Sequence, residues 1–269
     1  MKFVIILLII IIFYFYTIAP RFPRRKSVKL FCNRNFAHRG LFNNLENVPE
    51  NSMVAFKNAV DAGYGIELDV QLTKDDKVVV FHDDTLSRIC QIDLLVREKT
   101  YEELQKLSLI QTQNKIPLLS DVLKLVDGKI PLLVEIKLPV SSTKTCILVD
   151  EILSTYEGDY CIESFNSLAL LWYRRHRPQV IRGQLSGGLT KPMAPGGILL
   201  CFIIEYLISN FLGRPDFISY SHRHTSNLSF KINKYIFRAP TMAWTIDSEL
   251  AYSKALEKFD SFIFEGFII

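Results

Sequence analysis

The sequence of 269 residues predicts an α/β barrel of eight parallel strands behind an apolar N-terminal helix. Three observations carry this expectation. Short β-rich runs alternate with helical patterns along the chain, which is the signature of a parallel sheet with crossover helices. The 239 residues after residue 30 are the size of one such barrel, and no linker divides them. Nine candidate strands reduce to eight, because 66–70 and 78–82 are separated by seven residues that include Lys74, Asp75 and Asp76. A parallel crossover needs a dozen or more residues, so 78–82 must return antiparallel as a hairpin.

The elements follow in chain order. Residues 3–19, FVIILLIIIIFYFYTIA, carry no charge. As a helix they cover roughly 25 Å, near the lower limit for a bilayer core. Phe13, Tyr14, Phe15 and Tyr16 stand where an interfacial aromatic belt would lie. The alternative is a cleaved signal peptide. The long apolar run, the lack of an A-x-A pattern and Pro20 directly after Ala19 argue against it. The expectation is a transmembrane helix, a single-pass anchor in the cell membrane. The basic run RFPRRKSVK at 21–29 then places the rest of the chain in the cytoplasm and suits anionic headgroups. Residues 1–30 are thus anchor and basic linker, and 31–269 the barrel.

Strands are expected at 36–38, 66–70, 78–82, 132–136, 160–164, 180–184, 217–221, 241–246 and 262–265. Helices are expected at 52–62 (capped by Ser52), 101–107, 120–127, 143–155, 167–176, 226–237 and 248–259. Two insertions interrupt the alternation, at 83–117 and 187–213. The second ends in ILLCFIIEYLISNFLG, where Cys201, Glu205 and Ser209 share one stripe of a helix over 198–212 that is otherwise apolar. That pattern suits a helix in the membrane interface or a hydrophobic lid; a core helix or subunit contact is the alternative.

Composition narrows the function classes. With 49% hydrophobic and 22% charged residues the chain is neither disordered nor low-complexity. Its mean hydropathy of +0.16 is high for a purely soluble chain. A net charge of +4 does not argue for nucleic acid. Five scattered cysteines without a CxxC exclude a disulfide scaffold and fit a reducing compartment.

The chemistry gathers on a few strands. Glu67 and Asp69 are at i and i+2, so they share one strand face. Two adjacent buried carboxylates repel, and a hard cation is the usual compensation; a solvent-facing acidic pair is the alternative. The hairpin would bring His82 opposite residue 67 or 68. Glu135 and Lys137 repeat the i, i+2 pattern. Glu135 suits a third metal carboxylate and Lys137 an anionic group such as phosphate, with a plain buried ion pair as the alternative. His38 and Arg39 follow the first strand, where Arg39 could recognise phosphate through its planar fork. Trp244 is either an aromatic wall for the substrate's alcohol part or a core residue. His222 and His224 read as a loop pair facing solvent. The run Arg174–Arg177 reads as favourable charge at a helix C-terminus.

The motifs His38-Arg39-Gly40, Pro49-Glu50-Asn51-Ser52, Glu67-Leu68-Asp69, His82-Asp83, Glu135-Ile136-Lys137 and Ala243-Trp244-Thr245 occur together in this order. From about residue 36 onward the chain resembles the glycerophosphodiester phosphodiesterases, especially membrane-anchored bacterial ones. The resemblance implies a TIM (β/α)8 barrel and metal-dependent hydrolysis of a glycerophosphodiester to glycerol 3-phosphate and an alcohol. It implies acid–base work by His38 and His82. It also implies a divalent ion, Ca²⁺ or Mg²⁺, on Glu67, Asp69 and Glu135, and phosphate contacts from Arg39 and Lys137. Two departures stand out. The usual PENT reads PENS, and the last strand runs into Phe264-Glu265-Gly266-Phe267, which leaves Glu265 without a role. Two rival readings remain: a lysophospholipase-D-like action on membrane lipid, and an inactive membrane-tethered binding protein. The full set of histidines, carboxylates and lysine speaks against the second.

Overall fold

The computed structural model describes residues 1–23, 26–138, 142–189 and 197–269. Nine strands form one sheet: β1 Asn35–His38, β2 Gly65–Leu72, β3 Val78–Val80, β4 Leu132–Ile136, β5 Tyr160–Ser164, β6 Arg182–Ser186, β7 Phe217–Ser221, β8 Thr241–Ile246 and β9 Ser261–Phe264. Pairing runs β1-β9-β8-β7-β6-β5-β4-β2-β3, with β1 also on β2. The β1–β2 and β1–β9 pairings are both parallel, so eight strands close a barrel. The ninth, β3, returns antiparallel along the last residues of β2 (Val70 opposite Val80) as the short connection requires.

Strand alternation sorts the barrel into two environments. On β2, Ile66, Leu68 and Val70 join the large core between strands and helices. On β4, Leu132, Val134 and Ile136 do the same. The intervening residues point into the lumen. Its lower part is apolar, with Phe36, Leu133, Cys161, Ile181, Phe217, Met242 and Ile263 closed from below by Val28 and Phe31 of the Lys26–Phe31 turn. Its upper part, toward the strand C-termini, holds Asp69, Glu135 and Glu163, all buried. Chain geometry thus separates a stability end from a chemistry end.

Several elements differ from expectation. β6 begins at Arg182 rather than 180, because Val180 is tied into a turn on the Arg177 carbonyl. The helix expected over 226–237 is a short Leu228–Lys231 helix followed by a π-turn, Ile232–Ile236. The helix expected over 198–212 stops at Glu205 and resumes at Asn210–Gly213, since Leu207 turns through φ 55°. Cys201 and Ser209 are nevertheless buried, so the predicted stripe does face the protein. Of the 187–213 insertion, residues 190–196 lie outside the described residues, as do Arg24 and Arg25 of the basic run. The 83–117 insertion builds its own small core of Leu86, Ile89, Val96, Leu104, Leu109 and Ile116 beneath β3. All five cysteines are free.

The N-terminal expectation needs correction. Among the described residues no helix is long and apolar enough to cross a membrane. Lys2–Ile18 is one apolar helix of 17 residues, but its C-terminal end is committed to the barrel. Thr17 and Ile18 are buried. The Tyr14 hydroxyl bonds Ser229 Oγ at 2.6 Å, and Asn210 and Asn233 donate to the Ile18 carbonyl at 2.9 and 3.1 Å. Residues 3–13 are all exposed, as is Tyr16.

Candidate active site

β1 ends on His38, and the chain then turns sharply. Arg39 sits at φ 55° and Gly40 at φ 82°. A Cβ on Gly40 would meet the Ala55 backbone at 2.9 Å, so this turn requires glycine. The turn aims the Arg39 amide at Glu67 Oε2, 3.1 Å away. The Arg39 guanidinium bonds Glu50 at 2.6 Å and places Nε 3.7 Å from Asp69. Asn51, at φ 51°, donates to Asp69 Oδ2 at 2.9 Å. Ser52 caps the Met53–Ala62 helix by accepting the Ala55 amide, which is the role its hydroxyl was expected to keep.

Glu67, Asp69 and Glu135 converge. One carboxylate oxygen from each lies within 4.8 Å of the others, and all three residues are buried. Asp69 and Glu135 are register partners on β2 and β4. Lys137 lies between them, its Nζ 2.9 Å from Asp69 Oδ1 and 2.8 Å from Glu135 Oε1. Burial and the flanking acids Asp69, Glu135 and Glu163 push the Glu67 carboxyl well above the usual range. Burial would raise Asp69 too, but Lys137, His82, Arg39 and His38 hold it well below. Burial raises Glu135 despite Lys137.

Each histidine is held by a carboxylate at Nδ1. His38 Nδ1 is 2.6 Å from Glu265 Oε2, which leaves Nε2 turned toward Glu67 at 3.9 Å. Burial lowers the His38 pKa, and the Glu265 hydrogen bond opposes that shift. His82 Nδ1 bonds Asp83 Oδ1. β3 ends at Val80, short of the expected 82, and His82 lies just beyond the ladder, where the Phe81 amide still bonds the Asp69 carbonyl at 3.0 Å. Burial alone would raise Asp83; hydrogen bonds from His82 and Arg88 outweigh it and hold the carboxyl well below its usual value.

Three participants were not assigned a role from sequence. Glu265 is the His38 partner. Arg88 donates to both Glu50 oxygens at 2.6 and 2.7 Å and to Asp83 Oδ2 at 2.7 Å, joining the two histidine loops through Glu50. Glu163 stands in register beside Glu135 and is buried, and burial with the Glu135 charge raises it well above the usual range. Trp244 is half-buried at the C-terminal end of β8; its indole donates to the Ser186 carbonyl at 3.0 Å and its ring meets Phe165 edge-on. His222 and His224 are half-buried rather than fully solvent-facing, with His224 on Ser221 Oγ. Arg174 and Arg177 are used structurally, on the Phe211 and Leu212 carbonyls and on Asp150.

A divalent cation fits this constellation. The donors are hard oxygens, and among the described residues the permanent cations paired with these four buried acids are Lys137 and Arg39. The lysine ammonium already occupies a position between two of the carboxylates, as a cation would.

Residues 38–258 match the glycerophosphoryl diester phosphodiesterase family, a stretch that contains every motif above except Glu265. The chain belongs to this family. A glycerophosphodiester phosphodiesterase of Caldanaerobacter subterraneus is 38% identical over 170 residues, 58% of this chain and 68% of that one. One from Bacillus altitudinis is 43% identical over 110 residues, 38% of this chain and 44% of its own length. A human lysophospholipase D is 30% identical over 154 residues, 52% of this chain and 47% of that protein. The chain therefore spans about a quarter to two thirds of the length of the curated relatives it matches. Among solved structures, a phosphodiesterase from Oleispira antarctica in complex with the product sn-glycerol-3-phosphate superposes with a TM-score of 0.70 at 23% identity, over 88% of this chain and 94% of that one. A glycerophosphodiester phosphodiesterase from Thermotoga maritima gives 0.64 at 26% identity, over 86% and 93%. Both likenesses support the eight-stranded barrel read from the pairing.

Proposed function

We propose that this protein hydrolyses glycerophosphodiesters to glycerol 3-phosphate and an alcohol, using a divalent ion held by Glu67, Asp69 and Glu135. The observation that carries the reading is the convergence of these three carboxylates within 4.8 Å, beside two histidines that each present Nε2 from a carboxylate-held ring. The ion, Ca²⁺ or Mg²⁺, supplies charge neutralisation and polarisation at phosphorus when bound. The rest is the work of side chains. His38 is kept unprotonated at neutral pH by its burial, so its Nε2 accepts the proton of the attacking hydroxyl, the substrate's own glycerol hydroxyl or water. His82, oriented by Asp83 and more open to solvent, returns a proton to the leaving alkoxide. Arg39 and Lys137 contact the phosphate oxygens, and Trp244 bounds the alcohol side. Glu265 and Asp83 fix which ring nitrogen carries the proton, as an orienting carboxylate does in a catalytic triad.

Membrane attachment belongs to the same proposal. The uncovered apolar residues 3–13 are the support for it, and the basic run at 21–29 supports the cytoplasmic side. A lysolipid substrate is the second reading, favoured by that apolar helix and by the likeness to a lysophospholipase D. The test is product analysis on glycerophosphocholine, glycerophosphoethanolamine and lysophosphatidylcholine, with and without divalent ions. Release of glycerol 3-phosphate from the first two, dependent on the ion, is expected. Absence of hydrolysis in every case overturns the reading.

A further inference from the structure

The Lys2–Ile18 helix has a direction relative to the barrel. Its C-terminal end lies low: the Arg21 amide bonds the Pro215 carbonyl, and Pro215 and Asp216 lead into the start of β7. Its Tyr14 lies high, on Ser229 in the helix that follows the C-terminal end of β7. From Tyr14 the helix continues the same way, past the end of the barrel that carries the active site. Residues 3–12 are each between 44% and 77% exposed, so every face of this segment is bare. A protein groove covers a stripe of a helix; hydrocarbon covers all of it. Ten residues extend about 15 Å, half of a bilayer core.

The same end of the barrel has an apolar rim. Ile198 and Leu199 are 82% and 68% exposed on the Gly197–Glu205 helix, and Phe202 is 47% exposed. That helix is fixed at the rim by its C-terminus: Ser186 donates to the Ile204 carbonyl at 2.7 Å and the Tyr220 hydroxyl to that of Glu205 at 3.0 Å. Leu45 follows β1, Leu228 follows β7 and Leu250 follows β8, and these are 95%, 58% and 65% exposed. Loops after the strands of a barrel surround its catalytic mouth, so these side chains, carried after β1, β6, β7 and β8, line one side of that mouth.

We infer that the catalytic mouth rests on a lipid bilayer, with residues 3–13 and the Ile198-Leu199-Phe202 face inserted into one leaflet, so that the lysolipids of the second reading enter the site from that leaflet. The inference rests on the phosphodiesterase reading and adds a docking geometry to it. A headgroup phosphodiester entering from the leaflet reaches the carboxylates without its lysolipid leaving the membrane.

The test uses the full chain and vesicles of phosphatidylcholine and phosphatidylglycerol carrying lysophosphatidylcholine. In the variant Leu199→Glu with Phe202→Glu, hydrolysis of soluble glycerophosphocholine stays at the wild-type rate, while hydrolysis of vesicle-borne lysophosphatidylcholine falls on the order of tenfold. Separately, brominated lipids quench the added fluorescence of Leu199→Trp but not that of Tyr235→Trp at the opposite end of the barrel. An unchanged ratio of the two substrates, or quenching at 235 and not at 199, overturns the orientation while leaving the phosphodiesterase reading intact. A wild-type chain that does not float with the vesicles, or that self-associates through this face, also overturns it. No hydrolysis of glycerophosphocholine overturns both.

Discussion

Glu265 holds Nδ1 of His38 at 2.6 Å, although the two residues are the last and first functional positions of the barrel, 227 residues apart. They meet because β1 is sandwiched between β2 and β9, so the two ends of the fold close on each other. The hydrogen bond raises the His38 pKa against a larger lowering by burial. Glu265→Gln removes the opposing contribution. The acidic limb of the kcat/KM profile is then expected to move to lower pH, with activity reduced about 10–100-fold. A pH–rate profile on glycerophosphocholine checks both, and a limb that stays in place contradicts the assigned contact.

His38→Ala is expected to lower kcat by about 10²–10⁴-fold with the fold retained, since the ring makes its contacts in the lumen mouth rather than in the apolar core. Circular dichroism beside the turnover assay separates loss of chemistry from loss of fold. Near wild-type turnover in the folded variant excludes the proton-transfer role.

Arg88 ties Glu50 to Asp83 and is itself nearly half exposed. Arg88→Met keeps the stem and deletes both ion pairs. Turnover is expected to fall roughly tenfold through misplacement of His82 and Arg39, with KM rising as the phosphate contact loosens. A variant with wild-type kinetics shows the bridge to be dispensable.

Asp83 gives a stability prediction with a definite sign. Its carboxyl is held well below the usual 3.8 in the folded chain by His82 and Arg88, against burial. The unfolded chain therefore takes up this proton first as pH falls. The contribution is complete above pH 3.8 and is lost as pH drops through the depressed folded value. In Asp83→Asn the acid limb of the stability curve, followed by urea unfolding, is expected to be shallower than in wild type. Parallel curves contradict the assignment.

Sequence reading reached the frame of this site and stopped at its cross-links. The barrel was legible because the alternation on 66–70 and 132–136 fixes which side chains enter the lumen, and a seven-residue gap allows only a hairpin. Glu67, Asp69, Glu135, His38 and His82 followed from that geometry and from the motifs. Glu163 did not, because one acid in Cys161-Ile162-Glu163-Ser164 carries no pattern of its own; the lumen-facing parity with Cys161 was the available signal. Arg88 was hidden in an insertion, and its partners Glu50 and Asp83 meet only in three dimensions. The apolar N-terminus read as a span because hydropathy does not report that Tyr14 to Ile18 are spent on barrel contacts.

Electron paramagnetic resonance of Mn²⁺ added to the chelator-treated protein tests the metal trio most directly. One tightly bound ion per chain is expected, displaced by Mg²⁺ or Ca²⁺ and lost in Asp69→Asn and Glu135→Gln. An unaltered Mn²⁺ titration in both variants, or no bound ion in the wild type, would contradict it.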